Sequence, residues 1–236
     1  MIRQFKFKGD DVRGDIVAKY GFEGELVDIF AGNRGHKLHK WHHYIPIYDR
    51  YFSRFRGTEV KFLEIGVFKG GSMQVWRNYF GDQAAIFGID IDPKCAVFDG
   101  LAGQVRIGSQ DDPKFLKRVI DEMGGVDVVL DDGSHQMKHV NKTLRHLYPM
   151  LNDGGVYMVE DMHTAFWQKW GGGFRSLDNF FGTVQSIVED MHHWYHAERI
   201  QIPQLQDAVS GIHIHDSIVV LEKGPVHRPT HSFVGD

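Results

Sequence analysis

The sequence predicts an α/β protein built on a doubly wound, seven-stranded, mostly parallel sheet with a short helical cover at its N-terminus. Two observations carry that reading. Short β-rich apolar runs alternate with longer stretches of helical spacing, the mark of a sheet wound by helices. Most of those runs are continuously apolar rather than alternating, as strands buried on both faces are. The size suits a single core: 236 residues and 27.1 kDa, 42% hydrophobic and 25% charged, within the range of ordinary globular chains.

The elements follow in order. Residues 1–57 show no strand pattern, and Pro46 with Trp41, Tyr44, Tyr48 and Tyr51 suggests helical or irregular cover. Strands are expected at Lys61–Val67, Ala85–Ile91, Gln104–Ile107, Val126–Asp131, Gly155–Glu160, Arg199–Ile202 and Ser217–Glu222. Between the fourth and fifth, Met137, Val140, Leu144, Leu147, Tyr148 and Leu151 form an apolar helical stripe, stopped by Pro149 and the Asn152-Asp153-Gly154-Gly155 turn. An insertion at 162–198 begins aromatic and Gly-rich, which suits a lid, and continues as a helix with Phe180, Phe181, Val184, Ile187, Val188 and Met191 on one face. The sheet domain is therefore bounded as 58–224, including the insertion at 162–198, with a tail at 225–236.

Composition removes several function classes. A net charge of −4 provides no basic field for a nucleic acid. The start MIRQFKFKGDD lacks an apolar leader core, and no run approaches the roughly 18 apolar residues of a membrane helix. The lone Cys95 excludes an internal disulfide and suits a reducing compartment, so a cytoplasmic location is expected. The 27 Gly and 15 His point to close backbone approaches and to titration or metal chemistry.

The segment Phe62–Ser72 runs strand, glycine turn, helix, and so places backbone N–H groups at the carboxyl edge of the sheet, where nucleotide-like ligands bind. A P-loop would need Lys-Ser/Thr after the second glycine, and a dinucleotide loop would need glycine where Val67-Phe68 stand. What remains is E-x-G-x-x-x-G (Glu64, Gly66, Gly70), whose strand acid suits a ligand carrying an ammonium group, such as S-adenosylmethionine. Ser72 joins this set at the helix start. Asp90 ends the second strand where an acid accepts ribose hydroxyls, Asp92 before Pro93 reads as a turn former, and Gln110 and Asp111 stand where adenine would lie.

The fourth strand ends Asp131-Asp132-Gly133-Ser134-His135 and the fifth ends Glu160-Asp161-Met162-His163. Carboxylates gathered at adjacent strand ends repel unless a cation or proton intervenes. Asp132, Glu160 and Asp161 therefore read as hard oxygen ligands for Mg2+ or another divalent cation, with open positions for substrate hydroxyls. Such coordination lowers a hydroxyl's pKa, and His135 is placed to take its proton. Ser134 reads as the N-cap of the following helix. Asp131 is expected to face the cofactor's amino group, although spacing alone does not separate the roles of 131 and 132. A rival set for iron would add His135 or His163 to the carboxylates as a facial triad.

Together FLEIGVFKGGS, GIDID, VLDDGSH, VYMVED and HDSIVVLEKG resemble the metal-dependent, S-adenosylmethionine-dependent sugar O-methyltransferases of the macrocin and mycinamicin type over roughly residues 38–224. The resemblance implies a Rossmann-like class I methyltransferase fold, magnesium on Asp132, Glu160 and Asp161, His135 as general base, and a glycoside or other sugar-bearing acceptor. A catechol-like phenol is the neighbouring alternative, and cephalosporin hydroxylase-like proteins resemble the same core. The cluster His36, His39, His42, His43 matches no zinc pattern and reads as packing. Phe166, Trp167, Trp170 and Phe174 read as a sugar-stacking wall or a homo-oligomer contact, and His192, His193 and His196 as helix-end histidines.

Overall fold

A computed structural model describes residues 5–235; residues 1–4, the start of the polar N-terminus, and residue 236, the end of the tail, lie outside the described residues. Three helices come first, α1 (Val12–Tyr20), α2 (Glu25–Ala31) and α3 (Tyr44–Phe52). Then follow β1 (Lys61–Ile65), α4 (Gly71–Phe80), β2 (Ala85–Asp90), β3 (Gln104–Ile107), α5 (Pro113–Met123), β4 (Val126–Asp131), α6 (Met137–Leu147), β5 (Leu151–Val159), α7 (Phe180–Met191), β6 (Val209–His215) and β7 (Ile218–Lys223).

The strands form one sheet in the order β3-β2-β1-β4-β5-β7-β6. The first five are parallel, and β7 runs antiparallel to both β5 and β6. Chain direction across the sheet reverses its winding between β1 and β4, which opens a crevice at the carboxyl ends of those strands.

Alternation along the strands divides the core in two. Leu63, Ile65, Val129, Tyr157 and Val159 pack with α5, α6 and α7 on one face. Phe62, Val128, Leu130, Val156 and Met158 pack with Tyr48, Phe52, Trp76 and Phe80 of α3 and α4 on the other. Each fully buried side chain of this kind contributes about 1.5–3 kcal/mol.

Helix ends follow the local chemistry. Asp112 caps α5 by accepting from the Lys114 and Phe115 amides, and Gly124 closes it in the left-handed region. Asn179 caps α7 through the Gly182 amide. Asp92 accepts from the Lys94 amide at the head of a 3-10 turn, as a turn former does.

Three local readings of the sequence are corrected. The sixth strand is Val209–His215, not Arg199–Ile202. As the edge strand it buries one side only and carries Gly211 and two histidines, so it lacks a continuous apolar run; Ile202 and Gln201 are instead tied by their amides to the Asp190 carboxylate at 2.6 and 2.7 Å. Asn152–Gly155 belongs to β5 rather than to a separate turn, because Val126 pairs with Leu151 before the register shifts. Helix α6 begins at Met137, preceded by Gln136 without a side-chain cap, and Ser134 Oγ accepts instead from the Gln136 amide at 3.3 Å and meets His139 Nδ1 at 3.0 Å.

Candidate active site

The acids are sorted by the period of the strands. Parallel pairing sets Glu64 beside Leu130 and Met158, whose side chains share the α3/α4 face, and Asp131 beside Ile65 and Val159, which share the other. One residue further along, Asp132 and Glu160 return to the α3/α4 face. The sequence left Asp131 and Asp132 open; alternation separates them.

Asp131 is buried beneath α6, where Gln110 Nε2 donates to it at 3.1 Å and the Tyr157 hydroxyl and the Gly133 amide at 3.3 Å. Burial pushes its carboxyl up to about 6, against the pull of the Gly133 amide, His135 and Gln110. Gln110 also donates to Thr143 and accepts from the Ser134 amide at 2.6 Å, so it braces the Gly133-Ser134 turn from behind. Asp111 accepts from Ser109 and faces His139 and Lys142. Glu64 is fully buried and accepts from Ser72 Oγ at 2.7 Å and Trp76 Nε1 at 3.2 Å. Burial lifts it to about 7, opposed by Lys40 and by the Ser72 hydroxyl. Glu64, Ser72, Gln110 and Asp131 thus stand inside the wall and stiffen it.

At the cleft surface the glycine loop takes the predicted shape. Gly66 (φ 102°) and Gly70 (φ 74°) occupy the left-handed region that favours glycine. Asp90 Oδ2 accepts from the Val67 and Phe68 amides at 3.0 and 2.9 Å, and Oδ1 from the Asp92 amide at 2.8 Å. Asp90, the acid expected at the ribose, therefore fixes the loop and keeps lone pairs free to accept from a hydroxyl.

Across the cleft lie Asp132, His135 and Asp161, which each offer a ligand atom within 4.8 Å of the others, the one group of its kind among the described residues. His135 Nε2 is 3.9 Å from Asp132 Oδ1 and 3.7 Å from Asp161 Oδ2. Phe68, His135 and Asp161 all have positive φ (51°, 54° and 55°). Such backbone costs about 1–3 kcal/mol and gathers at functional sites, and here three instances border one cavity of about 580 Å³ that also takes in Gly66, Asp90 and Asp132.

Glu160 is buried under α3 and a strap at residues 35–41. The Lys40 ammonium lies 2.9 Å from both its oxygens and 2.7 Å from Asp132 Oδ2, and the Tyr48 hydroxyl donates to it at 2.6 Å. The Tyr44 hydroxyl donates to Asp161 Oδ1 at 2.8 Å. Burial opposes charge on Lys40, but Asp132, Glu160 and Glu64 outweigh it and raise its pKa. One ammonium cannot satisfy every carboxylate around it, so burial and the neighbouring Asp132 push Glu160 well above the usual range despite Lys40. The sequence gives no signal for Lys40 and reads Tyr44 and Tyr48 as part of the helical cover; their i, i+4 spacing on α3 aims both hydroxyls at the acids.

His36, His39, His42 and His43 share no ligand point among the described residues. His36 meets the Phe98 ring, His42 pairs with Asp15 at 2.7 Å, and His43 bonds the Asp216 carbonyl. In the insertion, Trp170 stands edge-on to His135 with centroids 5.7 Å apart, Trp167 packs on His163 at 5.0 Å, Phe166 stacks on Phe181, and Phe174 is exposed. No described helix is long and apolar enough to cross a membrane.

The chain is similar to several known proteins. A family described as a methyltransferase domain matches residues 63–162. The 8-demethyl-8-(2-methoxy-alpha-L-rhamnosyl)-tetracenomycin-C 3'-O-methyltransferase of Streptomyces olivaceus is 34% identical over 213 residues, covering 85% of this chain and 54% of its own. The demethylmacrocin O-methyltransferase of Streptomyces fradiae is 34% identical, covering 78% of this chain and 50% of its own. Among solved structures, the MycE methyltransferase from the mycinamycin biosynthetic pathway in complex with Mg and SAH superposes with a TM-score of 0.76 at 30% identity, covering 86% of this chain and 55% of that one. The chain spans about half the length of the curated relatives it matches.

Proposed function

The chain belongs to the sugar O-methyltransferase family of the macrocin and mycinamicin type, and we propose that it transfers a methyl group from S-adenosylmethionine to a hydroxyl of a glycosylated small molecule, with a divalent cation. One observation carries this reading: the glycine loop with Asp90 and the group Asp132, His135, Asp161 border the same cavity. That arrangement supports a methyl donor and an acceptor hydroxyl meeting in one space. Relatives named for sugar hydroxyls of glycosylated products support the acceptor class.

The donor set fits Mg2+, which takes carboxylate oxygens together with water and substrate oxygens. Asp132 and Asp161 would hold the ion from the cleft side, with Glu160 as the third carboxylate of the set; a bound ion supplies a lowered pKa to a hydroxyl beside it. His135 Nε2 accepts the proton of the acceptor hydroxyl. The acceptor oxygen attacks the methyl carbon as the carbon–sulfur bond breaks, and the sulfonium leaves as a neutral thioether. Glu64, Gly66, Gly70, Ser72 and Asp90 shape the donor side, with Gln110, Asp111 and Asp131 supporting it from behind. Alignment of oxygen, carbon and sulfur contributes through the rigid walls of the cleft. Trp170 and Trp167 flank the acceptor side, where a pyranose C–H face packs on an aromatic ring. A cytoplasmic setting goes with this reading, as the lone Cys95 suits a reducing compartment.

The test is an acceptor screen with labelled S-adenosylmethionine and glycosides, with and without chelator. Methyl incorporation that stops on chelation and returns with Mg2+ is the expected result. Donor binding by calorimetry without any methyl transfer to hydroxylated acceptors, or oxygen-dependent turnover with bound iron, would overturn it.

A further inference from the structure

Lys40 has a 5% exposed side chain and, among the described residues, no partner other than acids and an aromatic ring: Asp132 Oδ2 at 2.7 Å, Glu160 at 2.9 Å, Glu64 Oε1 at 4.0 Å, and the Tyr48 ring centroid at 5.8 Å. Glu64 lies on β1 and Asp132 and Glu160 directly follow the neighbouring strands β4 and β5, all three on one face of the sheet. The ammonium reaches them from outside the sheet, on the strap between α2 and α3. That strap is itself anchored: the His36 amide donates to Gln74 Oε1 at 2.9 Å, and Gly71, at the start of α4, leaves room for the His36 carbonyl, which a Cβ there would meet at 2.4 Å.

Asp132 is consequently shared. Its Oδ2 faces inward to Lys40, while its Oδ1 faces His135 and the cleft. A carboxylate buried without a counter-charge turns away or takes a proton. We propose that Lys40 is a resident cation of the site, a positioning residue that holds Asp132 and Glu160 in place both before and after a divalent ion binds. The carboxylate set is thereby assembled by the protein rather than by the metal, and metal affinity is set lower than the acids alone would give, because the ammonium stands close to the incoming ion. This rests on the metal reading of Asp132 and Asp161 given above.

Calorimetric titration of Mn2+ into Lys40→Met and into the wild-type chain tests the affinity. The expected result is binding about tenfold tighter in Lys40→Met, with a melting temperature that falls on chelation much further than in the wild type; a merely structural loss would weaken binding. Equal or weaker Mn2+ binding by a folded Lys40→Met overturns the proposal. Acetylation of the wild-type lysines, read by peptide mass spectrometry, provides a second measurement that needs no variant to fold. Lys40 is expected to react at under about a tenth of the rate of the exposed Lys8 and Lys138, with and without Mn2+, in keeping with its burial. Labelling of Lys40 at their rate in either state overturns the proposal. Absence of Mn2+ binding by the wild type would refute the metal reading instead, and the labelling would still decide the place of Lys40.

Discussion

Gly66→Ala is the perturbation that tests the architecture of the cleft most directly, because one added carbon strikes both halves of it. Gly66 sits at φ 102°, and a Cβ there would lie 2.2 Å from the Asp132 carbonyl oxygen and 2.9 Å from its carbon. Neither is the mobile end of a side chain. The left-handed backbone costs an L-residue about 1–2 kcal/mol, and forcing two backbones apart costs about 1–3 kcal/mol more. A destabilisation of roughly 2–5 kcal/mol corresponds to a fall of about 4–20 °C in melting temperature for a chain of this size. The displaced atoms belong to the donor loop on one side and to Asp132 on the other. Affinities for S-adenosylhomocysteine and for Mn2+ should therefore fall together in calorimetry. Gly154→Ala is the control, since that glycine also has positive φ (79°) but nothing within 4 Å of the added carbon; it should show the conformational cost alone and leave both affinities unchanged. If Gly66→Ala is no less stable than Gly154→Ala, or loses only one of the two affinities, the close approach of loop and strand end does not organise the site.

His135→Ala should keep S-adenosylhomocysteine affinity and lose about 10²–10⁴-fold in kcat; an unchanged kcat removes the base assignment. Trp170→Ala should raise KM for a glycoside acceptor roughly three- to tenfold with little change in kcat, the size of an aromatic contact, and an unaltered KM excludes the ring from the acceptor wall. Asp131 gives a pH signature: its folded-state pKa of about 6 lies above the unfolded value of 3.8, so the native state holds the extra proton between them and stability falls as pH rises through that window. Asp131→Asn should flatten this part of the profile by up to about 3 kcal/mol, measured by urea unfolding at pH 4.5 and pH 7; parallel profiles for variant and wild type would refute it.

β1, β2 and β4 were legible because burial on both faces keeps their centres largely apolar, and with the short edge strand β3 they fall within or on their expected runs. β6 was not, for the opposite reason. At an open edge the backbone ladder holds the strand through β7 alone, and side chains such as His213 and His215 are free to be polar: His213 Nε2 meets Glu222 Oε2 at 2.8 Å, and His215 meets the Tyr51 hydroxyl. A search for apolar runs passes over such a strand.

The site divides along the same line between local and distant information. The glycine turn, Asp90 and the two acidic strand ends are local patterns, each readable within a few residues because the strand-to-loop geometry is itself local. The roles within those patterns depend on face, and face is fixed by counting in twos from a buried neighbour: Leu130 packs against α3 and α4, so Asp131 must turn to α6 and Asp132 must turn back. That step was available in the sequence once the strand was placed. Lys40 was not, since it lies 92 positions from Asp132 and 120 from Glu160 in a stretch with no periodicity of its own. Its position follows from the strap lying across α4 at Gly71, a contact that no spacing encodes. A search for metal ligands counts acids and overlooks the cation already among them, which is why the charge balance of this cleft emerges only from the assembled fold.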